Sequence, residues 1–338
     1  MLFEKEYRER CATRGLDEAG ISRAIESVGA LEAETEMARA GLALASSPLA
    51  LVEAHVAKLV ARDEATDERI LALARYFAVS GGLGAIGAEA IAIRLLAYLL
   101  PVGVLPSMAK RLAELEGNAV RDRVMAKVVV PPQGSPPEAY PVATKAFASA
   151  LEAELGAQKA RRVLAWNVHG IPAAAFAEER ERFLAAPSIE AWLVGFHTRQ
   201  VAVLEKHAKE GTLWFEQKIT PRVVEFVRES PEILGGVRIG DHIFATKIPY
   251  DPDRWLVSED PLERRRLACH CPLAASTIGA KDAKVPPIWC ACSAGFEKFM
   301  FDMVFGEETE CEVLESVLDG SGRCRFSISI PESILRAK

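Results

Sequence analysis

The residues best able to do chemistry are cysteines, and they are concentrated in one part of the chain. Of the seven cysteines, six lie between residues 269 and 324. Four of them form two Cys-x-Cys pairs, Cys269 with Cys271 and Cys290 with Cys292. In an extended segment residues i and i+2 point to the same face, so each pair could direct two sulfur atoms at one ion. Two such pairs brought together would make a tetrahedral site of four thiolates.

Three interpretations of these cysteines compete. The first is a metal site, in which Cys324 or Glu315 could replace one of the four paired cysteines. Thiolates select zinc, Cu(I) or iron–sulfur clusters, so zinc is the expected metal and an iron–sulfur cluster the alternative. The second is a reactive thiol, with one cysteine as nucleophile and His270 or Glu297 as its helper. The third is reduced cysteines that pack as small hydrophobic residues, which explains two neighbouring pairs poorly.

Aromatic residues surround the cysteines and predict an apolar pocket. Residues 296–305 are expected to form a helix whose aromatic side helps to line a cavity, although such a side is more often plain core. A largely apolar pocket with a few polar groups is typical of small-molecule sites. The candidate pocket residues are Arg238, His242, Lys247, Tyr250, Trp289 and Phe296.

Composition limits the kind of protein. The chain has 338 residues and a formal net charge of −6, with hydrophobic residues making up 50%. That acidic balance argues against nucleic-acid binding, which needs a basic surface. The first residues are charged rather than apolar, so no secretory signal is expected. We therefore expect a cytoplasmic protein, in whose reducing compartment clustered cysteines bind metals or react before they form disulfides.

One apolar stretch, residues 78–106, is long enough to span a bilayer. It contains Glu89 and Arg94 near its middle, and charges at that depth are costly. Glycines and Pro101 also interrupt it. We expect no stable membrane span here, but a buried helix or one that contacts another copy of the chain, which would make a homo-oligomer.

The periodicity predicts an α+β protein with a helical N-terminal region. Residues 1–130 are expected to form a helical bundle. Its helices include one over residues 16–45, one that follows a cap at Ser46-Ser47-Pro48, and one that begins at Thr66. Residues 131–140 form a proline-rich linker, and residues 141–338 an α+β domain with an antiparallel sheet. We find no glycine-rich phosphate-binding loop of recognised type.

Two hairpins are predicted in the α+β domain. The first runs from residue 235 to 249 around Gly240-Asp241, and the second ends the chain, over 311–330. A turn centred between Gly320 and Ser321 would place Cys324 opposite Val317. A cross-strand disulfide between Cys324 and Cys311 is then not expected.

The same segments carry resemblances to known families. The order Cys292-Ser-Ala-Gly-Phe296, Glu315 and Gly320 to Phe326 resembles the 4-vinyl-reductase-type ligand-binding domain. That resemblance implies a zinc ion beside a ligand pocket, with Cys292, Glu315 and Cys324 as candidate ligands. The family's middle cysteine is Leu318 here. The wider run, including Cys-His-Cys-Pro and Trp-Cys-x-Cys-Ser-Ala-Gly-Phe, is similar to an uncharacterised bacterial family and, distantly, to L-2-amino-thiazoline-4-carboxylic acid hydrolases.

The sequence thus favours a small-molecule-binding protein with a cysteine-ligated zinc site beside an apolar pocket. The alternative is a metal- or thiol-dependent hydrolase of a small C–N or C–S substrate. The two differ by an open position on the metal, because three protein ligands and a water can generate hydroxide whereas four protein ligands cannot. Whether the protein is an enzyme stays open at this point.

Overall fold

The computed structural model describes residues 1–34, 49–215, 217–280 and 284–338. These residues form two compact units. The first unit comprises Met1–Val102 and Val130–Tyr140, and the second comprises Gly103–Val129 and Pro141–Lys338. The proline-rich segment therefore falls within the first unit, and residues 103–129 fall within the second.

The described part of the first unit is helical, as predicted. Thr66 caps one of its helices, because its side chain accepts a hydrogen bond from the amide of Arg69. The predicted cap at Ser46-Ser47-Pro48 and the end of the predicted 16–45 helix lie outside the described residues. The helices are α1 (Glu4–Thr13), α2 (Glu18–Glu34), α3 (Leu49–Ala61), α4 (Asp67–Gly82) and α5 (Ala88–Leu99).

Within the described residues one helical stretch, Ala88–Glu116, is apolar and long enough to cross a membrane by length and composition. It consists of α5 and of α6 (Val104–Glu116), separated by a turn that contains Pro101. In its most apolar window 44% of the residues are buried. In α5, Arg94 forms ion pairs with Glu53 and Glu138. A clear membrane span is therefore not observed in the part of the chain that the structure describes.

In the second unit, helices both precede and follow the strands along the chain. Ser188 caps the helix Ile189–Glu210 by accepting from the amide of Ala191, and Thr220 caps the helix Pro221–Arg228. The helix predicted over 296–305 begins earlier, at Ala291. Its helices are α6, α7 (Asn118–Met125), α8 (Tyr140–Leu155), α9 (Ala157–Leu164), α10 (Ala177–Ala185), α11 (Ile189–Glu210), α12 (Pro221–Arg228), α13 (Pro252–Trp255), α14 (Pro261–Ala268), α15 (Ala291–Phe305) and α16 (Glu332–Ala337).

Four antiparallel strands form one sheet in the order β1-β2-β4-β3. They are β1 (Val237–Ile239), β2 (His242–Thr246), β3 (Cys311–Glu315) and β4 (Arg325–Ser329). The two predicted hairpins thus become neighbours because β2 pairs with β4. Ile243 and Ile328 pair across these strands and are fully buried. The predicted α+β class, with an antiparallel sheet and a terminal hairpin, is confirmed.

The register predicted for the terminal hairpin is wrong by two residues. Cys311 pairs with Ile328 and Val313 with Phe326, and the register shifts by one residue before Glu315. Two features cause this difference in register. The turn is long, with the amide of Ser321 donating to the carbonyl of Ser316, and a bulge precedes Glu315. Cys311 and Cys324 are both free thiols, as expected.

Candidate functional site

Three segments of the second unit carry the cysteines of the candidate site. Cys269 follows the last residue of α14 in an extended conformation, which leads to Cys271. Cys290 ends a short 3-10 helix that continues directly into α15, where Cys292 lies. Cys324 directly precedes β4, and its carbonyl accepts from the amide of Lys247 over 2.9 Å.

The second Cys-x-Cys pair does not have the predicted extended geometry. Pro286 and Pro287 begin a helical segment, so the backbone from Cys290 to Cys292 is helical. In a helix residues i and i+2 lie about 200° apart around the axis. The expectation that Cys290 and Cys292 present sulfur atoms to the same side is therefore wrong.

Four of the thiols interact electrostatically inside the unit. Burial raises the pKa of Cys269, and the thiols of Cys271 and Cys324 raise it further. Burial likewise raises the pKa of Cys290 well above its usual value, with further contributions from Cys324, Cys269 and Cys271. We call these four residues the cysteine cluster. Cys292 is not counted in the cluster, because it interacts with only one of the four: burial raises its pKa to about 12, and the thiol of Cys271 adds to that.

Hydrogen-bond donors point at the sulfur atoms of the cluster. The indole Nε1–H of Trp289 donates to Sγ of Cys271 over 3.3 Å. Hydrogen bonds with the backbone of Leu273 and Ala274 also lower the pKa of Cys271. A hydrogen bond with the backbone of Cys271 lowers the pKa of Cys269. N–H donors directed at sulfur stabilise the thiolate form, which is the form that binds metals.

The donor set suits a soft metal, but its geometry is not that of a formed site. Cysteine thiolates are the ligands of structural zinc. Among residues 1–34, 49–215, 217–280 and 284–338, no group of three or more His, Cys, Asp or Glu side chains is arranged to hold an ion. Metal binding would therefore require rotation of cysteine side chains in the cluster.

Three of the predicted site residues bond to other partners. Glu315 forms an ion pair with Arg323 at 2.7 Å, and this hydrogen bond lowers the pKa of the carboxyl. Arg238 pairs with Glu190. His242 bonds to Asp241 at the opposite end of β2 from Lys247, five residues or about 16 Å away. Glu315 pairs with Arg325 in the sheet, next to Cys324, but its carboxylate is engaged by Arg323, and the side chains of Arg238 and His242 are engaged by Glu190 and Asp241.

Besides Trp289, which contacts Cys271 directly, Lys247 is the predicted pocket residue that acts on the cysteines. Its positive charge lowers the pKa of Cys269, Cys271 and Cys292. Its Nζ also lies 4.9 Å from the ring centroid of Phe296, a cation–π contact. No sequence pattern indicated that this one lysine would act on both an aromatic ring and several thiols.

The two catalytic candidates also lie near Lys247. His270 Nε2 is 2.6 Å from the carbonyl oxygen of Ile248, so this nitrogen carries the proton and donates. Burial lowers the pKa of His270 to about 3, and Lys247 contributes to that shift. Burial raises the pKa of Glu297, while Lys247 lowers it. Tyr250 packs edge-on against His270, with ring centroids 5.4 Å apart.

His169 was not anticipated from the sequence. Its ring lies 6.0 Å from that of Phe296 in an edge-on arrangement. Burial and the charge of Lys247 lower the pKa of His169. No local motif marks this histidine, because it is distant in sequence from every cysteine and reaches Phe296 only through the fold.

A cavity of about 400 Å³ opens beside the junction of β2 and β4. Of the predicted pocket residues only Lys247 lines it. The sequence contained one indication of this cavity. Arg323 and Arg325 are two residues apart, so in an extended segment their cationic side chains point to the same side. The lining residues are Phe226, Ser230, Pro231, Glu232, Ile233, Thr246, Lys247, Pro249, Trp255, Arg323 and Arg325.

Comparison with known proteins gives one match. A model of a family of unknown function, DUF6144, matches residues 254–335, which include the six cysteines between residues 269 and 324. This match is consistent with the resemblance to an uncharacterised family. Neither the curated proteins nor the solved structures contain a match. The resemblances to 4-vinyl-reductase-type domains and to the hydrolases stay predictions.

Proposed function

We propose that the second unit binds zinc through Cys269, Cys271, Cys290 and Cys324, and that it binds a small molecule nearby. The observation that supports this most directly is the hydrogen bonding at the sulfur atoms. Cys271 accepts from the indole of Trp289 and has backbone hydrogen bonds that favour its thiolate. Such donors accompany metal-bound ligands because they orient the ligand and tune its charge.

The raised thiol pKa values favour a metal site over a reactive thiol. A reactive cysteine needs a lowered pKa, so that a thiolate is present near neutral pH. Burial acts in the opposite direction on Cys269, Cys290 and Cys292. A bound cation reverses this effect, since a thiol that coordinates a metal loses its proton. The cluster therefore becomes charged only together with the ion.

Metal analysis of protein purified without added zinc tests this proposal. We expect about one zinc per chain, and its loss in a Cys269→Ser, Cys290→Ser double variant. The matched control is Cys311→Ser, which removes a half-buried thiol of the same unit outside the cluster. A metal-free protein whose stability the double variant leaves unchanged would contradict the proposal.

A hydrolase of a small C–N or C–S substrate is the second candidate. Its supporting observation is that Cys292 lies outside the cluster yet interacts with Lys247, as do His270 and Glu297. In this scheme Cys292 is the nucleophile. The rate of alkylation of the Cys292 thiol distinguishes the two candidates. We expect alkylation slower than that of a free cysteine; a faster rate that Cys292→Ala abolishes would favour the hydrolase.

Three further properties stay predictions from the sequence. They are a cytoplasmic location, the absence of nucleic-acid binding and self-association through the apolar helices. Light scattering of the purified chain measures self-association directly. A shift to monomer on replacing Leu83 and Ile86, the exposed apolar side chains just before α5, would support a homo-oligomer.

A further inference from the structure

The cavity beside β2 and β4 has walls of two chemical kinds. One wall is apolar, with Phe226 and Trp255 in a tilted contact whose ring centroids are 5.6 Å apart. The indole N–H of Trp255 is already bonded to the carbonyl of Gly322. Trp255 therefore offers the cavity an apolar surface, and the guanidinium of Arg264 lies 4.0 Å from its ring centroid.

The other wall is cationic. Arg323 and Arg325 line the cavity together with a single carboxylate, that of Glu232; Lys247 also lines it, but its Nζ lies over the ring of Phe296, outside the cavity. The cations outnumber the anion, so the cavity has a positive potential that attracts negative ligands. Glu315, which pairs with Arg323 from β3, reduces that potential without lining the cavity.

The arginines keep donors for a further acceptor. Arg325 uses Nε and Nη2 for the carboxylate of Glu232. Arg323 uses the same two atoms for Glu315. In the part of the chain that the structure describes, no hydrogen bond engages Nη1 of either arginine. Each guanidinium thus has N–H groups to offer, and those of Arg325 are held in place by the bidentate contact.

We propose that this cavity binds a small carboxylate with a flat apolar body. The carboxylate would accept from the Nη1 groups of Arg323 and Arg325, and the body would lie against Trp255 and Phe226. The volume of about 400 Å³ fits a small molecule rather than a peptide. This inference rests on the proposed small-molecule-binding role of the second unit and not on the zinc site.

The cavity wall is joined to the cysteine segment by strand pairing. Lys247 lines the cavity, and its backbone amide donates to the carbonyl of Cys324 over 2.9 Å.

Calorimetric titration of the full chain with phenylacetate, phenylacetamide, acetate and inorganic phosphate tests the proposal. We expect phenylacetate to bind at least tenfold more tightly than its amide, because the amide lacks the charge. Acetate should bind more weakly than phenylacetate, because it lacks the apolar body. Binding of phosphate equal to that of phenylacetate would mean a general anion site and would overturn the proposal.

Two variants of one ion pair separate binding from structure. Arg323→Gln and Glu315→Gln both break the Arg323–Glu315 pair, but the first removes the cation and the second frees it. We expect phenylacetate binding to weaken roughly fivefold in Arg323→Gln and to stay equal or strengthen in Glu315→Gln. Equal losses in both variants, no change in Arg323→Gln, or no binding of phenylacetate by the wild type would overturn the inference.

Zinc content, measured on the same samples, keeps this inference distinct from the zinc proposal. Protein with zinc that binds no carboxylate contradicts the cavity assignment alone. Metal-free protein that binds phenylacetate through Arg323 contradicts the zinc proposal alone. We do not expect Arg323→Gln or Glu315→Gln to lose both zinc and phenylacetate binding or to lower the melting temperature, because both side chains are partly exposed.

Discussion

The indole Nε1–H of Trp289 donates a hydrogen bond to Sγ of Cys271 over 3.3 Å. Trp289 is 1% exposed and packs edge-on against Phe147. Water therefore cannot replace this donor if it is removed. The contact joins the two Cys-x-Cys segments, because Trp289 directly precedes Cys290.

Trp289→Phe keeps an aromatic ring and removes the N–H group. We expect about tenfold weaker zinc binding, because the Cys271 thiolate loses a donor that orients it. The measurement is competition for zinc with a chromophoric chelator. Trp192→Phe is the matched control, since Trp192 is also buried and donates to Glu179. Equal zinc affinity in the two variants would show that the N–H group of Trp289 does not contribute to zinc binding.

Gly295→Ala should destabilise the second unit. A methyl group at Gly295 would lie 2.3 Å from the backbone nitrogen of Trp166 and 2.5 Å from the carbonyl carbon of Ala165. Both are backbone atoms, so either α15 or the segment that follows α9 must shift, and overpacking of this kind costs about 1–3 kcal/mol. Urea unfolding measures the change in free energy.

Gly29→Ala gives the opposite sign and serves as the control. Gly29 lies within α2, and a methyl group there meets no atom within 4 Å among the described residues. Alanine has a higher helix propensity, so a gain of up to ~1 kcal/mol is expected. A loss of similar size at both glycines would show that helix packing at Gly295 is not the cause.

Asp302→Ala should be among the most destabilising single changes in α15. Oδ2 of Asp302 lies 2.5 Å from Nζ of Lys298, and Oδ1 accepts from both the amide and the hydroxyl of Thr309 at 2.7 Å. Both charged side chains are buried. Removing the carboxylate leaves the buried ammonium with only its longer contact to the exposed Glu308, at 3.7 Å, which costs up to about 3–5 kcal/mol.

Glu332→Ala is the matched control for Asp302→Ala. Glu332 and Arg336 form an i,i+4 ion pair of the same spacing on α16, but both are 75% exposed. Water already solvates these charges, so we expect a change below about 0.5 kcal/mol. A similar cost at both positions, measured by thermal unfolding, would contradict the role assigned to burial.

The ion pair of Glu232 with Arg325 should make the free energy of unfolding depend on pH in the acidic range. The hydrogen bond of Glu232 with Arg325 lowers the pKa of the carboxyl below the ordinary 4.5. A depressed folded-state pKa contributes stability above the unfolded-state value and loses it as the pH falls through the folded-state pKa. The free energy of unfolding of the wild type should therefore fall below pH 4.5 more steeply than that of Glu232→Gln. Parallel pH profiles would show that the ion pair contributes nothing.

Local sequence determined most of the secondary structure. Apolar spacing and capping residues such as Thr66, Ser188 and Thr220 place the helices, because these features act within one or two turns. Turn residues at Gly240-Asp241 and Gly320-Ser321 place both hairpins. The terminal register could not be predicted in this way, because a bulge before Glu315 depends on the pairing partner rather than on the turn alone.

The cysteine segment was visible in the sequence, but its geometry was not. Residue type and spacing singled out Cys269, Cys271, Cys290 and Cys292, with Cys324 or Glu315 as a replacement, since few residues bind soft metals. Tertiary structure decided that Cys324 lies near enough to Cys269 and Cys290 to raise their pKa, that Cys292 lies on a helix and that Glu315 pairs with Arg323. It also placed Lys247 and Arg323 around one cavity. These contacts join segments far apart in sequence, and such proximity depends on how β2, β4 and α15 pack rather than on any local pattern.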